Sequence, residues 1–216
     1  MRILVLWSGG LDSTTLIQKF LNEGNTVDTI YIELHPNDEK IKREKKAIKS
    51  ILPYFKQNTN FNFIEPSSSV SIMTGASFLS NLAQLPVWLL GVIMYGGNNY
   101  DQIALGYVMN DDAISYLEDI KKVYYAWQGL SVKKLPELIF PFSKYSKMEI
   151  LSLLNSKLIN KITFCEGINN DNCGECRPCK RWKRLEEDGY VLSSNRRFIK
   201  KDNKKNNEKE CEEIIK

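Results

Sequence analysis

Histidine is almost absent from this chain: His35 is the only one in 216 residues. Any mechanism that needs an imidazole base must therefore use that side chain. Long apolar runs are missing too. The most apolar later stretch, Leu85 to Met94, is shorter than the about 20 residues that cross a bilayer. The first residues show no basic segment followed by a long apolar one. No membrane association and a cytoplasmic location are the expectation. A strong charge of one sign is also lacking, since 30 Lys and Arg against 26 Asp and Glu leave a net +4. The basic runs near Lys40 to Lys49 and from Lys180 onward therefore read as solvated faces, and nucleic acid is not an expected partner. The length suits one domain with a sizeable core and a small appendage.

The richest stretch is Leu6-Trp7-Ser8-Gly9-Gly10-Leu11-Asp12-Ser13-Thr14-Thr15. Ile3 to Leu6 form an apolar run that predicts a buried strand, and Leu16, Ile17, Phe20 and Leu21 give the apolar face of a helix beginning near Asp12 or Ser13. Two glycines between them allow a sharp turn and close approach of a ligand, and the helix start offers unpaired N–H groups to an anion such as phosphate. Ser8, Ser13, Thr14 and Thr15 add hydroxyls, and Asp12 could cap the helix or face a phosphate-bound metal. An ordinary capped strand-to-helix turn is the alternative.

Further along, Val27 to Glu33 predicts a second parallel strand, Glu39 to Ile51 a helix closed before Pro53, and Asn62 to Glu65 a third strand. Leu85 to Tyr95 suits a buried helix, Asp101 to Gly106 a further strand, and Ala113 to Trp127 a helix that Asn110, Asp111 and Asp112 could cap. Leu138 to Pro141 reads as a last, edge strand. Ser146 to Glu149 fits a capping box, in whose first turn the cation of Lys147 is slightly disfavoured and invites another explanation. The alternation of strands and helices argues for an α/β fold: an open parallel sheet with helices on both faces. Ligands bind at the carboxyl ends of such strands, which makes His35, Asp111 and Asp112 candidates for substrate contact.

Four of the five cysteines, Cys165, Cys173, Cys176 and Cys179, cluster in one Gly/Asn-rich stretch. Their spacing lets four thiolates converge on one Zn²⁺ in a closed, structural site, with an iron–sulfur cluster or a disulfide pair, the latter disfavoured in reducing cytosol, as the alternatives. The nearby Arg177, Lys180, Arg181, Lys183 and Arg184 could offset the negative charge. Cys211 lies in a Lys/Asn/Glu-rich tail that reads as disordered.

Ser8-Gly9-Gly10-Leu11-Asp12-Ser13 resembles the SGGxDS signature of the PP-loop ATP pyrophosphatases, which lack the GK[ST] ending of Walker-type loops. With the Cys165…Cys173-Gly174-Glu175-Cys176-Arg177-Pro178-Cys179 cluster downstream, the chain resembles the 7-cyano-7-deazaguanine synthase (QueC) branch of that superfamily. The resemblance implies an adenine nucleotide alpha hydrolase-like fold over residues 1–160, a zinc-binding segment over 161–199 and a tail over 200–216. It implies a ligase that uses ATP and Mg²⁺ to join ammonia to 7-carboxy-7-deazaguanine and form the nitrile. ATP would be held along Trp7, Ser8, Gly9, Gly10, Leu11, Asp12, Ser13, Thr14, Thr15, Leu16 and Ile17, with Asp12, Ser13 and Lys147 in catalytic roles. Lys147 and Glu149 match the family's Asp-Lys-x-Glu segment, with Ser146 in place of the aspartate. The family's Pro-Gly-Arg-Asn segment is matched by Pro86-Val87-Trp88-Leu89, without the arginine and asparagine, and its substrate loop is matched loosely by Asn110 to Asp112 and Tyr116. Another PP-loop enzyme that adenylates a tRNA base, or a non-catalytic nucleotide-binding partner, would share the loop. The oligomeric state is open, a homodimer being one option.

Overall fold

The computed structural model describes residues 1–35, 38–65, 72–73, 99–109, 111–130, 133–164, 173–187, 190–192 and 198–200. The expected helix over Leu85 to Tyr95, the Pro86-Val87-Trp88-Leu89 segment, Asn110, Cys165 and residues 201–216 lie outside the described residues.

The opening apolar run forms β1 (Arg2–Leu6), followed by α1 (Leu11–Asn22) and β2 (Thr26–Ile30). A two-residue strand β3 (Leu34–His35) precedes α2 (Asp38–Phe55) and β4 (Phe61–Ile64). Next come β5 (Ile72–Met73), which pairs with β3, and β6 (Gln102–Ala104). A 3-10 turn at Asp112–Tyr116 leads into α3 (Leu117–Ala126), and a second at Trp127–Leu130 leads to β7 (Glu137–Ile139). Two short helices follow, α4 (Lys147–Leu153) and α5 (Ser156–Ile159), then α6 (Arg177–Glu187) and the antiparallel pair β8 (Tyr190–Leu192) and β9 (Phe198–Lys200).

The main sheet runs β4-β2-β1-β6-β7, and every pairing is parallel. Alternation along β1 sends Ile3, Val5 and then Trp7 to a core shared with α1, α2, α4 and α5. Leu4 and Leu6 face the opposite core, built with Ile103, Leu138 and α3 residues Ile120 and Tyr124. Burial on both faces explains why this strand reads as a continuous apolar run rather than an alternating one. The expected open sheet with helices on both faces is thus observed, with β7 at its edge as the proline beyond it suggests.

Two helix boundaries differ from expectation. The second helix runs through Pro53 to Phe55, because Phe55 packs against Trp7 and Phe61 at ring-centroid distances of 5.9 and 5.3 Å and carries the last turn past the proline. The helix expected from Ala113 starts instead as a 3-10 turn, and regular α geometry begins only at Leu117.

Within the second core, buried Asp28 accepts from Arg2 Nη2 at 2.6 Å and from the Tyr100 hydroxyl at 2.9 Å. Asp28→Ala should leave that buried phenol without an acceptor and cost about 1–3 kcal/mol of stability, read by urea unfolding. A variant as stable as the parent would show that the cluster contributes nothing.

Candidate functional site

Strand order reverses between β1 and β6, so their carboxyl ends open the crevice where doubly wound sheets take ligands. The chain leaving β1 forms the Ser8-Gly9-Gly10 loop. Gly9 has φ +72°, and a Cβ there would lie 3.0 Å from Ala47 Cβ and 3.1 Å from the Glu44 carbonyl. Only glycine lets this loop turn and seat against α2. Gly10 caps α1 in extended conformation without a side-chain bond, so the amides of Leu11, Asp12 and Ser13 have no acceptor inside the helix. The helix begins at Leu11, within one or two positions of the start expected near Asp12 or Ser13. Beside these amides the Ser8 and Ser13 hydroxyl oxygens lie 3.3 Å apart.

The rest of the segment supports the loop from behind. Trp7 is buried and donates its indole N–H to Thr14 Oγ1 at 3.0 Å, and Thr15 donates to the Leu11 carbonyl at 2.8 Å. Leu16 and Ile17 lie in the core. The Thr14 and Thr15 hydroxyls, expected around the anion, are thus engaged with Trp7 and the Leu11 carbonyl, and the side chains of Trp7, Leu16 and Ile17 shape the loop from the core. Hydrophobic packing and intrachain hydrogen bonds claim all five.

The loop leaving β6 closes the other side. A Cβ at Gly106 would sit 3.1 Å from both Asp12 C and Ser13 N, so that strand exit is pressed onto the first turn of α1. This residue was not singled out from sequence; its signal was a glycine at the end of a predicted strand. Asp111 was expected as a cap, yet it makes no side-chain bond to the following turn. Its Oδ2 instead accepts from the Val108 amide at 3.0 Å, and its Oδ1 faces Lys147 Nζ and Arg181 Nη1, each at 3.6 Å.

Lys147 provides the link. The capping box is present as expected, Ser146 accepting from the Glu149 amide and Glu149 from the Ser146 amide at 2.7 Å, which holds the Glu149 carboxyl below its usual range. That cap sets Lys147 in the first turn of α4, from which its ammonium donates to Asp12 Oδ2. Burial pushes the Asp12 carboxyl up, against the pull of Lys147. Asp12 Oδ1 is buried and has no hydrogen-bond partner among the described residues. An anionic oxygen left this way at a helix start is costly without a ligand. Another group not anticipated from sequence is the Tyr107 hydroxyl, also buried without a partner among the described residues, whose ionisation burial and Asp111 push up.

The expected substrate residues are only partly placed. The His35 backbone pairs with Met73 beyond β2, while its side chain and that of Asp112 lie outside the described residues. Asp111 and Asp12 do meet, through Lys147.

The cysteine segment docks beside the loop. The Thr163 amide donates to the Gly9 carbonyl at 3.0 Å, and Trp182 of α6 stacks on Phe164 with ring centroids 4.8 Å apart. The sulfurs of Cys173, Cys176 and Cys179 all lie within 4.8 Å of one another, a grouping able to hold a metal ion. Gly174 at φ +74° makes the tight turn, and the Cys176 amide donates to Cys173 Sγ at 3.3 Å. Cys173 and Cys179 sulfurs stand 3.9 Å apart, close to the separation of thiolates that share one tetrahedral ion at about 2.3 Å. The fourth expected ligand, Cys165, falls outside the described residues.

No protein-family model matches the chain. It is 28% identical over 209 aligned residues to a 7-cyano-7-deazaguanine synthase of Saccharolobus solfataricus, a match covering 82% of this chain and 43% of that protein. A protein of the same name from Sulfolobus acidocaldarius is 27% identical over 213 residues, covering 82% and 44%. The chain thus spans less than half the length of these curated relatives. Among solved structures, a U34-tRNA thiolase from Methanococcus maripaludis with its 4Fe-4S cluster superposes with a TM-score of 0.46 at 18% identity, over 87% of this chain and 67% of that one. A predicted subunit of tRNA methyltransferase from Methanocaldococcus jannaschii gives 0.43 at 14% identity, over 68% and 69%. Among the described residues, no helix is long and apolar enough to cross a membrane.

Lys147→Met removes the ammonium that draws the Asp12 carboxyl down while leaving its burial, so that carboxyl should titrate higher still in carbon-13 NMR. An acid with a raised folded value binds its proton more tightly folded than unfolded. The variant should therefore lose stability as pH rises from the ordinary carboxylate range toward the new value. An Asp12 resonance that titrates lower would contradict the pairing.

Proposed function

Taking the sequence likeness to the 7-cyano-7-deazaguanine synthases as premise, we propose that this chain carries the ATP-using centre of a carbon–nitrogen ligase. Its substrates are 7-carboxy-7-deazaguanine, ammonia and ATP, its setting the cytoplasm, and nucleic acid is not required. One observation supports the reading above others: in the first turn of α1, where the Ser8 and Ser13 hydroxyls meet, Asp12 pairs with Lys147 through one carboxylate oxygen and keeps the other buried, without a partner among the described residues.

The residues fit the chemistry. The amides of Leu11, Asp12 and Ser13, without an acceptor inside the helix, and the Ser8 and Ser13 hydroxyls would form a cradle for pyrophosphate. Asp12 is placed to hold Mg²⁺, which when bound neutralises phosphate charge. Lys147, poised between Asp12 and Asp111, can turn its ammonium to the α-phosphate as negative charge builds there. A carboxylate is a poor electrophile because its oxygen leaves badly. Attack of that oxygen on the α-phosphorus of ATP expels pyrophosphate and makes adenylate the leaving group. Ammonia then displaces AMP to give the amide. A second ATP activates the amide oxygen in the same way, and loss of AMP with two protons leaves the nitrile. The cysteine cluster suits Zn²⁺ in a structural role, since a closed thiolate site leaves no position for water.

Mass spectrometry of the purified protein incubated with ATP, ammonium and 7-carboxy-7-deazaguanine should show the amide and the nitrile. Asp12→Ala or Ser13→Ala should reduce turnover about a hundredfold or more with little change in melting. Tight ATP binding without product would make the chain a nucleotide-binding partner, and product only with tRNA would make it a base modifier. Cys176→Ser should release metal and lower the melting temperature. An unchanged melt in a metal-free variant would remove the structural role.

A further inference from the structure

The helix that carries Cys179 also carries Arg181, two residues on. Its position is set at both ends of its first turns: by Cys179, buried among the clustered sulfurs, and by Trp182, stacked on Phe164 and packed against the core behind the loop. From there the guanidinium Nη1 reaches Asp111 Oδ1 at 3.6 Å, the same oxygen that lies 3.6 Å from Lys147 Nζ, and Lys147 in turn pairs with Asp12. The chain of charges thus runs from the cysteine helix to the head of α1, across three separate loops.

We propose that Arg181 is a positioning residue that makes nucleotide affinity at the Ser8–Ser13 loop depend on metal occupancy of the Cys173, Cys176 and Cys179 cluster. This rests on the ATP-binding reading above. The two carboxylates and two cations in the row sum to zero charge. Without Arg181 the balance is one negative charge in a site meant for a polyanion. Lys147 is then the sole cation in the row for both Asp12 and Asp111, and it is held back from phosphate. Emptying the cysteine cluster acts through the same group, because the ion secures the turn from which α6 starts and Arg181 projects.

The test compares ATP affinity by titration calorimetry with Mg²⁺ present, metal content by mass spectrometry and thermal melting, all on the full chain. Arg181→Ala should keep its metal and its melt yet bind ATP roughly tenfold more weakly, the scale of an ordinary coupling between sites. Arg181→Lys should recover most of that loss. Cys176→Ser, emptied of metal but folded, should weaken ATP binding by a similar factor, and Cys176→Ser with Arg181→Ala should be no worse than either alone. Wild-type affinity in metal-loaded Arg181→Ala, or losses that multiply in the double variant, would overturn the coupling. If the alanine variant fails to fold, Arg181→Gln is judged by the same two criteria. A parent protein that binds no ATP at all defeats the nucleotide reading itself, and the coupling with it, a result distinct from either of the others.

Discussion

The ion pair between Lys147 and Asp12 holds this site together. It ties the first turn of α4 to the first turn of α1, elements 135 positions apart in the chain. Each end of the pair would be unfavourable alone. A lysine opposes the dipole at a helix start, and a carboxylate with one oxygen buried and unpartnered lacks solvation. Together they offset much of each other's cost, and the residual need for a ligand stays at Asp12 Oδ1. A folded structure that tolerates such a group keeps a polar, pre-shaped place at the point where the sheet changes direction.

Close backbone packing makes that place rigid. Gly9 lets the loop seat against α2, and Gly106 lets the exit of β6 press onto α1, so side chains from neighbouring strands converge without room to drift. Trp7 anchors the loop from below, with Phe55, Phe61 and Phe63 packed edge-on around it. The hydroxyls of Thr14 and Thr15 are used inside the chain, which leaves Ser8 and Ser13 as the polar side chains that line the turn.

The cysteine segment is part of the same construction. Thr163 pairs with Gly9 and Gly10, and the helix beyond the cluster returns Arg181 to Asp111. A metal held there would stabilise more than its own loop, because the segment it organises is hydrogen-bonded to the glycine turn.

Local chemistry was legible in the residues themselves. The apolar run of β1, the amphipathic α1, the glycine turn between them, the capping box at Ser146 and Glu149 and the cysteine spacing each depend on neighbours within a few positions, so the sequence determined them. Pro53 and Asp111 misled for the same reason, since a local rule for breakers and caps cannot weigh the burial of Phe55 or the pull of distant cations. Which charges meet was decided only by the tertiary structure. Lys147 meets both Asp12 and Asp111 because a parallel sheet with reversed strand order brings the ends of β1 and β6 side by side, and Arg181 joins the row only through Asp111. Ion pairing acts through space over a few ångströms and carries no signature in sequence separation.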